Sequence, residues 1–376
     1  MILSHLVYFS LGSNSGDRFL HLQNAIDAIF ETIGAIEKIS PAYETPAWGF
    51  DGNPFLNAVI AVKTTLSAKK TLKQILRIET RLGRIRNEEK GYQDRIIDID
   101  LLFFDDAIIQ EKTLLIPHPH LHKRRFVLQP LSDIAPEFVH PEIQKNSLQL
   151  LGECEDSTSI HKMQRWLKNP IAAIDLSKYN FIAIEGNIGV GKTSLAIKIA
   201  EDFNAKLVLE RFADNPFLPK FYQDKNRYAF PLEMSFLADR YQQIQDDLSQ
   251  LDLFKDFIVS DYDIYKSLIF AKVTLQKEEF ALYRKLFDIM YKDTVKPKMY
   301  VFLYQSTEKL LENIKKRGRA YEQSITPEYL NNIQKGYTDF IKTRQDGKVK
   351  IIDATDLDFV KSRKDYLAVL RLMDEE

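Results

Sequence analysis

The chain has 376 residues, enough for two domains or three, and its 45% hydrophobic and 28% charged residues are the balance of a protein that buries ordinary cores. A formal net charge of −1, with no long block of like charge, argues against a dedicated nucleic-acid or membrane-surface binder. One cysteine, Cys154, excludes an intramolecular disulfide and a cysteine-rich metal site; without an apolar run of about 18 residues or a basic leader at Met1 to His5, the expectation is a cytoplasmic protein with no membrane partner.

The opening segments alternate in period. Leu6 to Leu11 reads as a strand, Arg18 to Phe30 as an amphipathic helix, and Ile36 to Tyr43 and Phe55 to Thr64 as two strands. Ser67 to Arg81 reads as a helix, with Leu72, Ile75, Leu76 and Ile78 at helical spacing and Ser67 at the N-cap. Ile96 to Phe104 is a strongly apolar strand. The order β-α-β-β-α-β predicts an α+β, ferredoxin-like domain with helices on one face of its sheet.

The chemistry of this half lies in Asp94-Arg95-Ile96-Ile97-Asp98-Ile99-Asp100. Two residues apart on a strand, Asp98 and Asp100 share one face, roughly 6–7 Å apart at the backbone. Such a pair resists burial, and a divalent metal with phosphate oxygens relieves the cost. Arg84 and Arg86 flank Ile85, and Arg95 follows a polar loop, so three arginines near the two acids suit a clamp on a polyphosphate. A half-exposed strand of solvated acids beside a solvated basic face is the alternative.

Residues 1 to about 160 resemble 6-hydroxymethyl-7,8-dihydropterin pyrophosphokinase, a folate-pathway enzyme family. The matching pieces run in order: Leu11-Gly12-Ser13-Asn14, Tyr43-Glu44-Thr45-Pro46, Phe55-Leu56-Asn57-Ala58, Arg77-Ile78-Glu79, Gly83-Arg84-Ile85-Arg86, Asp98-Ile99-Asp100, Pro117-His118, and Arg124 with Phe126. The resemblance implies diphosphate transfer from ATP to a pterin hydroxymethyl group with release of AMP. It implies that Asp98 and Asp100 hold magnesium, and that Asn57 and Phe126 take the pterin, with Thr45, Pro46 and Trp48 beside it. His118, Arg84, Arg95 and Arg124 would bind the triphosphate, and Glu79 would help seat the nucleotide. Where the family carries Trp-Gly-Pro-Arg in a closing loop, this chain has Lys90-Gly91-Tyr92-Gln93-Asp94-Arg95, and Pro119 replaces a tyrosine.

Between Ser157 and Lys178 the periodicity weakens, and Asn169-Pro170 interrupts it. The division expected is a first domain over 1–160, a semi-ordered linker over 161–178 and a second domain over 179–376. The second domain opens on an apolar strand, Phe181 to Ile184, then a complete phosphate-binding loop and a helix. That loop is Gly186-Asn187-Ile188-Gly189-Val190-Gly191-Lys192-Thr193. Its backbone N–H groups can turn around phosphate oxygens, Lys192 can reach the outer phosphates and Thr193 can hold magnesium. Strands are expected at Lys206 to Glu210, Asp256 to Ser260, Lys298 to Tyr304 and Val349 to Asp353, separated by helices. That pattern predicts an α/β, doubly wound parallel sheet, with Glu210 and Asp261 at strand ends beside the loop. Arg317 and Arg319 flank Gly318 at a helix end, either as a phosphate-contacting lid or as a basic C-terminus complementing the helix dipole.

Residues 179 to 376 are similar to the deoxynucleoside kinases. The phosphate loop, Glu210 with Asn215-Pro216-Phe217, Tyr222, Phe236-Leu237-Ala238-Asp239-Arg240 and Arg317-Gly318-Arg319-Ala320-Tyr321-Glu322-Gln323 carry the resemblance. It implies 5′-phosphorylation of a deoxynucleoside by ATP with magnesium and allows a homodimer through this domain. Glu210 would be the base, Tyr222 and Glu322 would hold the sugar 3′-hydroxyl, and Arg317 and Arg319 would form the lid. Two departures stand out. Asp261-Tyr262-Asp263 lacks the arginine that follows the third strand in the family, for which Arg211 is a candidate substitute. Glu233 stands seven residues before Arg240, where related kinases place a base-reading glutamine. Either Glu233 accepts both N–H donors of a guanine, or it pairs with Arg240 and never touches the base. The expectation is a bifunctional ATP- and magnesium-dependent transferase acting on small molecules; the alternative makes the second domain a nucleotide-binding regulatory module.

Overall fold

Strands and helices follow the order expected from the sequence in the computed structural model, which describes residues 4–47, 52–84, 94–211, 215–249, 254–292, 294–344 and 347–375. Contacts divide the chain into two units, Met1–Ile174 and Asp175–Glu376.

The first unit runs β1 (His5–Ser13), α1 (Arg18–Thr32), β2 (Gly34–Ile39), β3 (Tyr43–Thr45), β4 (Phe55–Thr64), α2 (Ala68–Arg81) and β5 (Asp98–Phe104). Then come β6 (Ile109–Glu111), β7 (Leu114–Ile116), α3 (Arg125–Ile134), α4 (Ser147–Gly152) and β8 (His161–Lys162). β1 lies between β5 and β4, and β4 carries β2 and β3 on its far side, all antiparallel. That is the α+β, ferredoxin-like order read from the sequence.

Alternation gives β1 two faces. Val7, Phe9 and Leu11 are fully buried on one. On the other, Tyr8 packs with Val59, Phe103, Leu128 and Leu131 under α3, while Ser10 and Gly12 line a cavity. The site therefore opens where α3 stops covering the sheet.

Three local differences from the sequence reading have physical causes. The stretch expected as one strand over 36–43 divides into β2 and β3, because the Ser40 hydroxyl accepts the Val59 N–H at 2.9 Å, replacing a ladder carbonyl. Ser67 occupies the N-cap position of α2 without a side-chain capping bond. Residues expected as linker are tied to the first unit: β8 pairs with β3, Gln23 Nε2 donates to Lys168 O at 2.9 Å, and Asn169 Nδ2 donates to Ile36 O at 2.8 Å.

The second unit runs β9 (Phe181–Gly186), α5 (Lys192–Asp202), β10 (Lys206–Val208), α6 (Leu218–Gln223), α7 (Lys225–Ser249), β11 (Ile258–Ser260), α8 (Lys266–Thr274) and α9 (Lys277–Met290). It continues through β12 (Met299–Tyr304), α10 (Thr307–Arg317), α11 (Pro327–Thr343), β13 (Lys348–Asp353) and α12 (Arg363–Asp374). The sheet order is β10-β11-β9-β12-β13, parallel throughout, the α/β doubly wound arrangement. Chain order reverses at β9, so the loop after β9 opens at the switch point where ligands gather. No described helix is long and apolar enough to cross a membrane.

At Gly34 the backbones of β2 and β4 approach so closely that a Cβ would lie 2.1 Å from Lys63 O. The Gly34→Ala variant must push the strands apart and is expected to destabilise the first unit by about 1–3 kcal/mol, measured by urea unfolding.

Candidate functional site

The first unit holds a cavity of about 310 Å³ at the open end of its sheet, lined from β1, β3, β4 and β5. Register dictates its floor: Gly12 of the middle strand pairs with Asn57 on one side and Asp98 on the other, and Ser10 pairs with Asp100. Thr45, Pro46, Phe55 and Phe126 form a largely apolar side, on which Asn57 Nδ2 donates to Thr45 Oγ1 at 2.9 Å. Arg84, Arg95, Arg124 and His118 form the basic side.

Asp98 receives Arg84 Nη1 on Oδ1 at 2.5 Å and Arg95 on Oδ2. Burial disfavours the Arg84 charge, but Asp98 and Glu79 more than offset it and raise its pKa. Glu79 lies buried behind Arg84, accepting the Ile99 N–H at 3.0 Å and the Arg84 Nη1 donor. Asp100 is pushed up to about 7, first by burial and then by Asp98, with Arg124 opposing. His118 is drawn down to about 4 by burial, then by Arg124 and His120, so it is neutral near pH 7. Its Nδ1 accepts the His120 N–H at 3.3 Å, which places the ring proton on Nε2 and makes His118 a neutral donor.

The donor set suits a hard cation. Asp98 and Asp100 offer only oxygens, and their mutual repulsion is what a divalent ion removes. Among the described residues no cluster of three or more potential metal-binding side chains occurs, and an ion held by Asp98 and Asp100 would take further ligands from water or phosphate. Trp48, Arg86 and the loop residues Lys90 to Gln93 lie outside the described residues. Asn14 carries a role that its motif alone did not reveal. Its Oδ1 accepts the Arg95 N–H at 2.6 Å and its Nδ2 donates to Asp94 Oδ1 at 2.5 Å, fixing the backbone that aims Arg95.

In the second unit, the phosphate loop turns into α5 at Gly191, whose φ of 98° is a left-handed conformation that favours glycine. Lys192 Nζ donates to Gly186 O at 2.9 Å and to Asn187 O at 3.0 Å. Burial, with Lys266 nearby, draws Lys192 down to about 8. Thr193 Oγ1 donates to Asp261 Oδ2 at 2.5 Å, and the other Asp261 oxygen accepts the Glu210 N–H at 2.8 Å.

Two cavities meet at this loop. One, of about 130 Å³, is lined by Glu210, Tyr222, Glu233, Arg240, Lys266 and Glu322. The other, of about 520 Å³, is lined by residues 357–361, Gln305 and Asn313. Lys192, Thr193, Arg317 and Arg319 border both. Glu322 accepts from Arg317 and, at 3.1 Å, from Arg319 Nη1, while Tyr222 stacks on Tyr321 with ring centroids 6.0 Å apart.

Glu210 is gripped from two sides. Arg240 donates to its Oε1 through Nε at 2.9 Å and Nη2 at 2.5 Å, and Lys266 Nζ donates to its Oε2 at 2.5 Å. Burial opposes the charge, but Lys266 and then Arg240 hold the carboxyl well below the usual carboxylate range.

Two alternatives left open by the sequence are decided here. Arg240 bonds to Glu210 and to Ser267 Oγ at 2.7 Å, not to Glu233, so the pairing weighed for those two residues does not form. Glu233 Oε1 accepts from Thr274 Oγ1 at 2.9 Å, and its buried Oε2 has no partner among the described residues. Arg211 does not replace the absent arginine: its side chain is 65% exposed and pairs with Asp247 of α7 at 3.3 Å. Tyr262 is buried with Val208, Leu237 and Ile244, and the cation at Glu210 is Lys266, which no sequence motif singled out.

Comparison with known proteins agrees with this division. The model of the 7,8-dihydro-6-hydroxymethylpterin-pyrophosphokinase family matches residues 8–136, and that of the deoxynucleoside kinase family matches residues 182–375. A deoxyguanosine kinase of Bacillus subtilis is 36% identical over 190 residues, covering 50% of this chain and 92% of the relative. A 2-amino-4-hydroxy-6-hydroxymethyldihydropteridine pyrophosphokinase of Aquifex aeolicus is 44% identical over 141 residues, covering 37% of this chain and 86% of the relative. Among solved structures, a deoxyadenosine kinase from M. mycoides with dCMP and dCDP bound aligns at 27% identity and a TM-score of 0.43, covering 51% of this chain and 97% of that one.

Burial pushes the Glu233 carboxyl from its ordinary 4.5 up to about 7, so the folded unit holds a proton there that the unfolded chain gives up. Its stability therefore falls as pH rises between those values, and levels off above. The Glu233→Gln variant, which cannot ionise, is expected to melt higher than the parent by a margin that grows from pH 4.5 to 7 and then stays constant. Scanning calorimetry across that range measures the margin.

Proposed function

We propose that this chain, which belongs to the 6-hydroxymethyl-7,8-dihydropterin pyrophosphokinase family through its N-terminal unit and to the deoxynucleoside kinase family through its C-terminal unit, is a bifunctional phosphotransferase using ATP in both. The N-terminal reaction is diphosphate transfer from ATP to the hydroxymethyl group of 6-hydroxymethyl-7,8-dihydropterin, with release of AMP. The C-terminal reaction is 5′-phosphorylation of a deoxynucleoside, with deoxyguanosine preferred. Residues 1–160 and 179–376 are the corresponding catalytic domains. ATP and the two acceptors are small molecules, as both families require.

In the first site, an apolar wall with one amide stands beside a basic wall. Phe55 and Phe126 offer flat faces to a pterin ring, and Asn57 and the Thr45 segment offer donors and acceptors to its edge. Arg84, Arg95, Arg124 and neutral His118 take the triphosphate, with Glu79 holding Arg84 in place behind them. Asp98 and Asp100 in this unit, and Thr193 in the other, would hold magnesium, which when bound screens the phosphate charge against attack.

In the second site, the observation that carries the kinase reading is the junction of two cavities at Lys192, Thr193, Arg317 and Arg319. A phosphate donor in one and a hydroxyl acceptor in the other would meet there. Residues 186–193 would cradle the donor phosphates, while Arg317 and Arg319 would stabilise the transferring group from above. Glu210 stands on the acceptor side to take the 5′-hydroxyl proton, and Tyr222 and Glu322 suit the sugar 3′-hydroxyl. Lys266 brings a cation to the cavity wall beside Lys192, Thr193 and Arg317, which supports catalysis over a purely regulatory module.

The Glu233 Oε2, which has no partner among the described residues, supports the base preference. An ionised carboxylate accepts both guanine N1–H and its exocyclic N–H, and Arg240 is engaged elsewhere. The relative from Bacillus subtilis named a deoxyguanosine kinase supports the same choice.

Asp98→Ala or Asp100→Ala is expected to abolish pyrophosphoryl transfer while nucleoside phosphorylation persists, because each site is built within its own unit. Retained pterin turnover in both variants would remove the two acids from the reaction. Deoxyguanosine is expected to show the highest kcat/KM of the four deoxynucleosides, and Glu233→Gln to erode that lead by roughly 10-fold or more, the value of one lost charge-assisted bond. A parent that prefers pyrimidines contradicts the assignment.

A further inference from the structure

The grip on Glu210 poses a chemical problem. A carboxylate held by Arg240 on one oxygen and Lys266 on the other is a poor proton acceptor, yet it is the acid best placed to act as base. One cation has to let go. Arg240 is fixed by further contacts, a bond to Ser267 Oγ at 2.7 Å and the Phe236 ring 4.9 Å from its guanidinium carbon. Lys266 Nζ, among the described residues, has its one hydrogen bond to Glu210, at the end of a flexible stem beside the Phe270 ring.

The position of Lys266 is otherwise unfavourable. It is only 7% exposed, and it is the first residue of α8, where the helix dipole repels a cation. It borders the same cavity as Lys192, Thr193 and Arg317, where negative phosphate charge would offset both costs. Tyr262 and Arg211 point elsewhere, into the core and toward Asp247.

Building on the kinase reading above, we propose that Lys266 is a catalytic cation that exchanges its bond to Glu210 for one to the transferring phosphoryl group. The nucleoside 5′-oxygen forms a bond to the γ-phosphorus of ATP as the bond from that phosphorus to the bridging oxygen breaks, ADP keeping the electron pair. The 5′-hydroxyl proton passes to Glu210, which the departure of Lys266 makes basic enough to receive it. A single side chain thus couples the arrival of phosphate to the activation of the base.

The test compares the full-length parent with Lys266→Met, Lys266→Arg, Glu210→Gln and the Glu210→Gln/Lys266→Met double variant, using pterin turnover by the N-terminal unit as the control for intact protein. Lys266→Met is expected to lower nucleoside kcat by roughly 10²–10³-fold, with the KM values for nucleoside and ATP within a few-fold of the parent. Lys266→Arg should recover most of that loss. In the Glu210→Gln background, loss of Lys266 should still cost at least about 10-fold, because the phosphate contact survives without Glu210. An unchanged kcat in Lys266→Met, or a neutral effect of Lys266→Met in the Glu210→Gln background, would show a mere counter-ion and overturn the proposal. If Lys266→Met does not fold, the double variant, which orphans no Glu210 charge, decides alone. A parent inactive on all four deoxynucleosides would instead overturn the kinase reading itself.

Discussion

A carboxylate withdrawn from water keeps its charge only if a cation lies against it, and both sites are organised by that requirement. In the first unit Asp98 is held by Arg84 and Arg95, with Glu79 bracing Arg84 from behind. In the second, Glu210 is held by Arg240 and Lys266, and Glu322 by Arg317 and Arg319. In each case the cations that phosphate would need are pre-positioned on acids at the cavity wall. Such pairs add little net stability, since desolvation consumes much of the attraction. Their value lies in fixing long, flexible side chains before a ligand arrives.

The second unit carries an additional buried layer beneath its site. Glu185, one residue before the phosphate loop, accepts the Asp263 N–H at 2.6 Å and the Tyr337 hydroxyl at 2.8 Å. Asp263 in turn accepts from Arg344 Nη1 at 3.0 Å. Burial pushes Glu185 up to about 7, with Lys266 and Lys192 pulling the other way. This network joins β9, the connection after β11 and α11, and so fixes the short segment from Asp261 to Lys266. Asp261 at one end positions Thr193 and the Glu210 backbone; Lys266 at the other holds the Glu210 side chain. The placement of three functional groups thus depends on a few hydrogen bonds in the core.

Much of this was legible in the sequence because it is encoded over short spans. The phosphate loop needs glycine at a left-handed position directly before a helix, and Gly191 is such a residue. Asp98 and Asp100 share a face because a strand has period two, and the Phe55–Thr64 strand is continuous because its apolar, β-branched run carries no Gly or Pro to interrupt it. The β2–β3 break is not legible in the sequence because it rests on one hydroxyl, Ser40, accepting from Val59 of another strand.

The sequence by itself determined the two folds, the phosphate loop, the paired aspartates and the acids at the strand ends, since each follows from local spacing and backbone preference. Only the tertiary structure decided which cation meets which acid. Arg240 is seven residues from Glu233, yet it crosses 30 positions to Glu210 because the two meet at the cavity wall. Lys266 reaches Glu210 from 56 positions away, and Arg211, its immediate neighbour in the chain, turns to the surface instead. Charge pairing acts through space over a few ångströms, so its partners are set by packing and not by order along the chain.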